Sequence, residues 1–239
     1  MNKFFKISLI TLGIILAVMA ALYGTYKLMN SRTYQVFGTL IARVDTDEKL
    51  IALTFDDAPT VYTDEVLDVL KQRQIPATFY VIGQQIEKYP DTAKRIITNG
   101  NEIGNHSYSH QRMIFKSQSF IDTEIQKTND LIREAGYEGD ITFRPPNCKK
   151  LFGLPWYLSK HNIKTITVDV EPDTYGASAD FFVDNTIKYT KPGSIILLHP
   201  FCETCGEQRK ALPLIIDALK QKGYTFVTVS ELLQKGGVQ

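Results

Sequence analysis

Leu50-Ile51-Ala52-Leu53-Thr54-Phe55-Asp56-Asp57-Ala58-Pro59 carries an apolar run straight into two adjacent carboxylates. The run reads as a buried strand, and Pro59 marks the loop that ends it. Two carboxylates in one site repel, so holding both there is costly unless something separates their roles. A metal ion bound by one acid would do so and leave the other as a base. The plainer reading is a pair of solvated turn acids. The rest of the chain decides between them.

Downstream of this stretch, strands and helices alternate. Residues 50–55 read as strand and 63–73 as helix, 77–82 as strand and 92–99 as helix, 102–105 as strand and 119–135 as helix. The rhythm continues with strand 141–144 and helix 155–161, strand 165–170 and helix 179–189, strand 194–198 and helix 207–222, strand 225–229 and helix 231–234. Gly100, Gly136 and Gly223 follow three of the helices as stop signals. Seven such units, with strands too apolar to show a solvated face, imply an α/β fold with a parallel sheet covered by helices. An open doubly wound sheet and a closed barrel both fit the count. The barrel is preferred, because an open sheet would gather its polar outliers near one switch point. Upstream, residues 34–44 read as a strand and 45–48 as a polar turn into 50–55, a hairpin leading into the domain.

The polar outliers share one position, the carboxyl ends of the strands. Asp56 and Asp57 follow the first, His106 and His110 the third, and Arg144 ends the fourth. Asp169 ends the fifth with Asp173 close behind, and His199 ends the sixth. In a parallel barrel this is the end where active sites are built. His106-Ser-Tyr-Ser-His110 puts two imidazoles one helical turn apart, and with Asp57 they make two nitrogens and one carboxylate. That donor set matches a catalytic zinc site with positions left open. The competing reading of the two histidines is incidental spacing. Arg144, held before Pro145-Pro146, is placed to keep a carboxylate ionised. Leu197 shares the strand side on which His199 points, and an acid nearby, Asp173 or Asp169, would keep His199 protonated. His161 sits at the opposite end as a bystander or helix cap.

Composition bounds the reading. The chain has 239 residues, 44% hydrophobic and 22% charged, with net charge +1, enough for one sizeable domain and no support for nucleic-acid binding. Residues 7–26 carry no charge, while Lys3 and Lys6 precede them and Lys27 and Arg32 follow. That length spans a bilayer as a helix, and the short basic amino terminus favours N-terminus inside. The competing reading is a cleaved signal segment. Either places residues 31–239 outside the cytoplasm, and the expected division is 1–30 anchor, 31–47 tether with the first hairpin strand, and 48–235 catalytic domain. Cys148, Cys202 and Cys205 all fall in loops at the catalytic end. The favoured pairing joins Cys148 to Cys202 or Cys205 and clamps two loops; a Cys202–Cys205 bridge or free thiols are the alternatives.

Together these residues resemble the polysaccharide deacetylase family, the carbohydrate esterases with a NodB homology domain. Thr54-Phe55-Asp56-Asp57-Ala58-Pro59 looks like its first motif, with Ala58 in place of Gly. His106-Ser-Tyr-Ser-His110 is similar to the second, and Arg144-Pro145-Pro146-Asn147 to the third, with Asn147 in place of Tyr. Asp169-Val-Glu-Pro-Asp173-Thr174 resembles the fourth, with Thr174 in place of Trp. Leu197-Leu198-His199 is similar to the fifth, followed by Pro200 rather than Asp. The resemblance covers about residues 48–235 and implies a distorted barrel. It implies that Asp56 is the catalytic base, that Asp57, His106 and His110 hold one divalent metal ion, zinc by this donor set, and that Arg144 orients the base. His199 would be the catalytic acid, with Asp173 its partner. Leu197 would wall an acetyl-methyl pocket, Tyr175 could supply a wall in place of the missing Trp, and the Asn147 N–H would be an oxyanion donor. The implied substrate is an N-acetylated cell-envelope glycan. An O-acetyl esterase with the same site, or a non-catalytic glycan-binding module on the same fold, are the alternatives.

Overall fold

The computed structural model describes residues 3–172 and 177–237. The segment that opened the reading is a nine-residue central strand, and every strand paired with it runs parallel. With β1 at Leu40–Ile41, this strand is β2 (Leu50–Ala58), followed by β3 (Thr78–Val81), β4 (Glu102–Asn105), β5 (Thr165–Ile166), β6 (Ile195–Leu198) and β7 (Thr225–Val227). Beside β2 lie β6 on one side and β3 then β4 on the other, while β7 pairs with the start of β2. β1 pairs in parallel with β5. Single parallel bridges run from Asn105 to Phe143, Phe143 to Thr165 and Val170 to Ile196, so residue 143 and the 165–170 segment lie between β4 and β6.

Burial explains why these strands lack alternation. Every residue of β3, β4 and β6 is buried, and β2 is buried along its length apart from Asp57. Phe55, Phe79 and Phe201 pack ring to ring at 5.1–6.1 Å between centroids on one side of the strands. Helices cover the strands: α1 (Lys3–Asn30) precedes the domain, and α2 (Thr63–Arg73), α3 (Gly83–Lys88), α4 (Pro90–Thr98), α5 (Gln118–Glu134), α6 (Gly153–Lys160), α7 (Ala179–Tyr189), α8 (Gly206–Gln221) and α9 (Val229–Lys235) follow. Ser117, Ser178 and Thr228 cap α5, α7 and α9 by accepting a backbone N–H three residues on.

Two expectations need correction. Residues 34–44 are not the first arm of a hairpin: only Leu40–Ile41 is strand, and its partner is Thr165–Ile166. After α1 the chain turns at Gly38, whose φ of +69° strains any other residue and where a Cβ would come within 3.0 Å of Ser159. Residues 141–144 count as strand only at Phe143, which bridges Asn105 and Thr165; the flanking Thr142 carbonyl and Arg144 N–H both bond Asn105, and Pro145-Pro146 have no N–H to carry the ladder past Arg144.

Candidate metal and catalytic centre

On a regular strand Asp56 and Asp57 would point to opposite faces. The β2–β3 register slips between Asp56, opposite Tyr80, and Ala58, opposite Val81, so Asp57 is the extra residue of a bulge. Its φ of +70° is a conformation that a short Asp tolerates. Both carboxylates thereby line the same cavity. Ala58 has no positive φ, so a glycine is not needed there.

His106 and His110 are not on a helix, contrary to the expectation from their spacing. β4 ends at Asn105, and positive φ at Ser107 (+69°) and His110 (+56°) curls the loop. Asn105 Oδ1 accepts the Ser107 N–H at 2.7 Å and Ser107 Oγ accepts the His110 N–H at 3.1 Å. The Glu124 carboxylate accepts the Ser109 N–H and hydroxyl at 2.8 and 2.7 Å. The curl sets the two rings 4.9 Å apart.

These two imidazoles and Asp57 fit a metal ion. His106 Nδ1 lies 2.8 Å from the Arg144 carbonyl, which only accepts, so Nδ1 carries the proton and Nε2 presents its lone pair. Nε2 of His106 and of His110 stand 3.8 and 3.4 Å from Asp57 Oδ1. That oxygen is buried and accepts no hydrogen bond from the described residues. The three ligand atoms lie within 4.8 Å of one another. Burial, then the neighbouring His106, holds His110 below its ordinary pKa and favours the neutral ligand form.

Asp56 adjoins the triad, with Oδ2 3.5 Å from His106 Nε2, and its other oxygen is taken by Arg144, which is fully buried and donates from Nη1 to Asp56 Oδ1 at 2.7 Å and to Thr54 Oγ1 at 2.8 Å. The Tyr80 ring lies 3.9 Å from the guanidinium carbon. Burial pushes the Asp56 carboxyl up, but Arg144, His106 and His199 together override it and hold the pKa below its ordinary value. His199, carried at the end of β6, places Nε2 4.0 Å from Asp56 Oδ2, and its backbone N–H donates to Gln208 Oε1 at 2.7 Å. Leu197, Asn147, Cys148, Arg32 and Glu171 complete the walls of this cavity of about 220 Å³. It adjoins a groove of about 810 Å³ that shares Asp56, Asp57, His110 and His199 and is also lined by Gln84, Phe182 and Phe201.

The remaining expectations divide. Asn147 sits at φ +54° in a turn whose hydrogen bonds come from the Cys148 and Lys149 N–H groups. Asp173 and Tyr175, together with Thr174, lie outside the described residues. Asp169 is not a partner of His199: its carboxylate accepts from Ser194 Oγ and the Ile195 N–H at 2.9 Å, at the opposite end of β6. Nor does the favoured disulfide form. Cys202 pairs with Cys205, whose Cα atoms a single turn brings to 5.0 Å, and Cys148 is a buried thiol. Sequence reasoning did not find Tyr80, Thr54 as a ligand of Arg144, or Arg32. Arg32 is 24 residues before Asp56, in a stretch that reads only as tether.

A buried ionised carboxylate with a metal-type triad on one side and an imidazole 4.0 Å away on the other, all at the carboxyl ends of parallel strands, has the make-up of a hydrolytic centre. The chain belongs to the polysaccharide deacetylase family, whose model matches residues 43–166. A peptidoglycan-N-acetylglucosamine deacetylase of Bacillus cereus is 37% identical over 191 residues, covering 77% of this chain and 68% of the relative. A solved peptidoglycan N-acetylglucosamine deacetylase, bound to 4-naphthalen-1-yl-N-oxidanyl-benzamide, superposes with TM-score 0.77 at 32% identity, over 81% of this chain and 92% of the other. A family 4 acetyl xylan esterase from Clostridium thermocellum, in complex with a cobalt ion, gives TM-score 0.72 at 35% identity, over 80% and 93%.

Proposed function

We propose that this protein is a metal-dependent N-deacetylase of a cell-envelope polysaccharide, peptidoglycan or another N-acetylglucosamine-containing glycan. The observation that carries the reading is Asp56 held ionised by Arg144 between the Asp57–His106–His110 triad and His199. Peptidoglycan deacetylases among the relatives support the substrate class. The reaction is hydrolysis of an amide.

Asp57, His106 and His110 would hold a divalent ion, zinc by the donor set, which would polarise the carbonyl and acidify water when bound. Asp56 takes the proton of the attacking water, which it can do because Arg144 keeps it ionised. The Asn147 N–H is the donor to the oxyanion that forms. His199 gives its proton to the amine nitrogen as the carbon–nitrogen bond breaks, since an unprotonated amine leaves badly. Leu197 walls the acetyl methyl, and the long groove accommodates neighbouring sugars. Asp173 as the partner of His199, and Tyr175 as a further wall, extend this assignment. The products are acetate and a sugar amine. The single bridges at Phe143 and Val170 support the distorted barrel, with the catalytic domain at 48–235 and the tether at 31–47. The family 4 acetyl xylan esterase favours O-acetyl hydrolysis as the second reading. Acetate release from a panel of N- and O-acetylated glycans decides between them, and no release from any would leave only a glycan-binding module.

Bound metal is expected to be lost when Asp57, His106 and His110 are replaced together by Ala. Elemental analysis of the purified protein checks this, and retention of the ion by the triple variant would remove the assignment.

α1 supports a membrane anchor through residues 7–26. Within Phe4–Asn30 the most apolar 18-residue window has mean hydropathy 2.3, and none of that window is buried. An uncleaved helix with residues 31–239 extracytoplasmic is expected to leave the amino terminus intact on the mature protein, with the domain open to protease on whole cells. A mature terminus near Ala21 or Thr25 would make it a secreted enzyme instead.

A further inference from the structure

α1 does not leave the domain at a remote surface. The Lys150 N–H donates to the Met29 carbonyl at 3.2 Å, Lys149 Nζ to Asn30 Oδ1 at 2.8 Å, and Lys150 Nζ to the Ser31 carbonyl. Arg32 follows, pairs with Glu171 and lines the catalytic cavity. The helix end is thus clamped to the loop after Arg144, on the rim of the site. Lys27, the first charge after the apolar span, is only about 5 Å along the helix axis from Asn30 at the rise of an α-helix. A bilayer crossed by α1 therefore lies directly against this rim.

The rim has the composition of a membrane-facing surface. Loop 111–118 packs on loop 147–153, through Arg112 Nε to Asn147 Oδ1 at 2.8 Å and Gln118 Nε2 to the Gly153 carbonyl at 3.1 Å. From these loops and the first turn of α6, Phe115, Phe152 and Trp156 are 87%, 53% and 43% exposed. Phe115 also has φ +55°, an uncommon conformation for a bulky residue, and gains no burial from it. The surface charges in these stretches are all basic: Arg112, Lys116, Lys149 and Lys160 occur there, Lys150 is buried beneath them, and no acid occurs at 111–121 or at 141–168. Aromatic rings seat at the headgroup level of a bilayer, and Lys and Arg beside them can pair with lipid phosphates.

We propose that the rim formed by residues 111–118 and 147–156 rests on the membrane that α1 crosses, with Phe115, Phe152 and Trp156 in its interfacial layer. The catalytic cavity then opens beside the lipid surface, and the site takes acetylated glycan held close to the bilayer rather than strands far out in the envelope. This rests on α1 being an anchor. The test uses the full chain in vesicles containing anionic lipid, where Trp156 is the sole tryptophan. Flotation after alkaline wash reports the anchor. Quenching of Trp156 by lipids brominated high on the acyl chain reports the rim. The wild type is expected to float and to lose Trp156 emission relative to unbrominated vesicles. The Phe115→Glu, Phe152→Glu double variant should float equally, lose most of that quenching and release acetate from a soluble acetylated oligosaccharide at the wild-type rate. A chain that floats but shows no quenching overturns the rim while leaving the anchor standing. A chain stripped off by the wash overturns both.

Discussion

Replacing Arg144 by Met is expected to cost about 3–5 kcal/mol of folding stability, the scale for removing one partner of a buried ion pair. Met roughly fills the space, so the loss is electrostatic rather than a cavity. In the wild type the Asp56 carboxyl is held below its ordinary value, 3.8, so its contribution to stability is present above that value and lost as pH falls through the lower, folded one. Without Arg144, burial, the largest influence on Asp56, is opposed only by His106 and His199. The carboxyl is then pushed upward, and the sign reverses: stability is present below the ordinary value and lost as pH rises through the raised one. Urea midpoints for both proteins at pH 5 and pH 8 check this. The variant should lose more relative to wild type at pH 8. A gap that is the same at both pH values, or smaller than about 1 kcal/mol, would mean that the pair contributes little to holding Asp56 ionised.

The parallel α/β character was legible because buried strands are continuous apolar runs, as at 50–55 and 195–198, and because α2 and α7 carry clear apolar periodicity. α3 was not: Gly83-Gln-Gln-Ile-Glu-Lys88 has one buried apolar side chain, Ile86, and its Gly83 is needed for a close approach to Tyr108 and Thr128 that only the fold defines. Residues 34–44 misled because β-type composition says nothing about the partner, and the true partner, 165–166, is over 120 residues away. At the site, residue types placed at strand ends located Asp56, Asp57, His106, His110, Arg144 and His199 in one cavity or on its wall. How they meet was hidden. A bulge turns Asp57 beside Asp56, a left-handed curl replaces the helical turn between the histidines, and Arg32 arrives from the end of α1. The cysteines show the same limit, since several pairings fit the composition of the loops and only the turn geometry selects Cys202–Cys205.

Asp56→Asn and His199→Ala are expected to retain the metal and to lose turnover on an N-acetylated glycan by about a hundredfold or more, the usual scale for one general acid or base. Neither side chain belongs to the triad, which separates both variants from a ligand variant. Asn at position 56 keeps the shape and still meets Arg144, but cannot take a proton from water. Ala at position 199 leaves the breaking carbon–nitrogen bond without a proton donor. The leaving group distinguishes the two. An alkoxide departs more easily than an unprotonated amine, so an O-acetyl substrate needs the acid less and the base just as much. His199→Ala should therefore recover a large part of its activity on the ester, whereas Asp56→Asn should be impaired alike on both. Acetate release from matched N- and O-acetylated sugars, with bound metal measured on the same samples, makes the comparison. Equal losses for His199→Ala on amide and ester would remove the ground for assigning it the leaving-group proton, because its distance of 4.0 Å from Asp56 would then reflect support of the base instead.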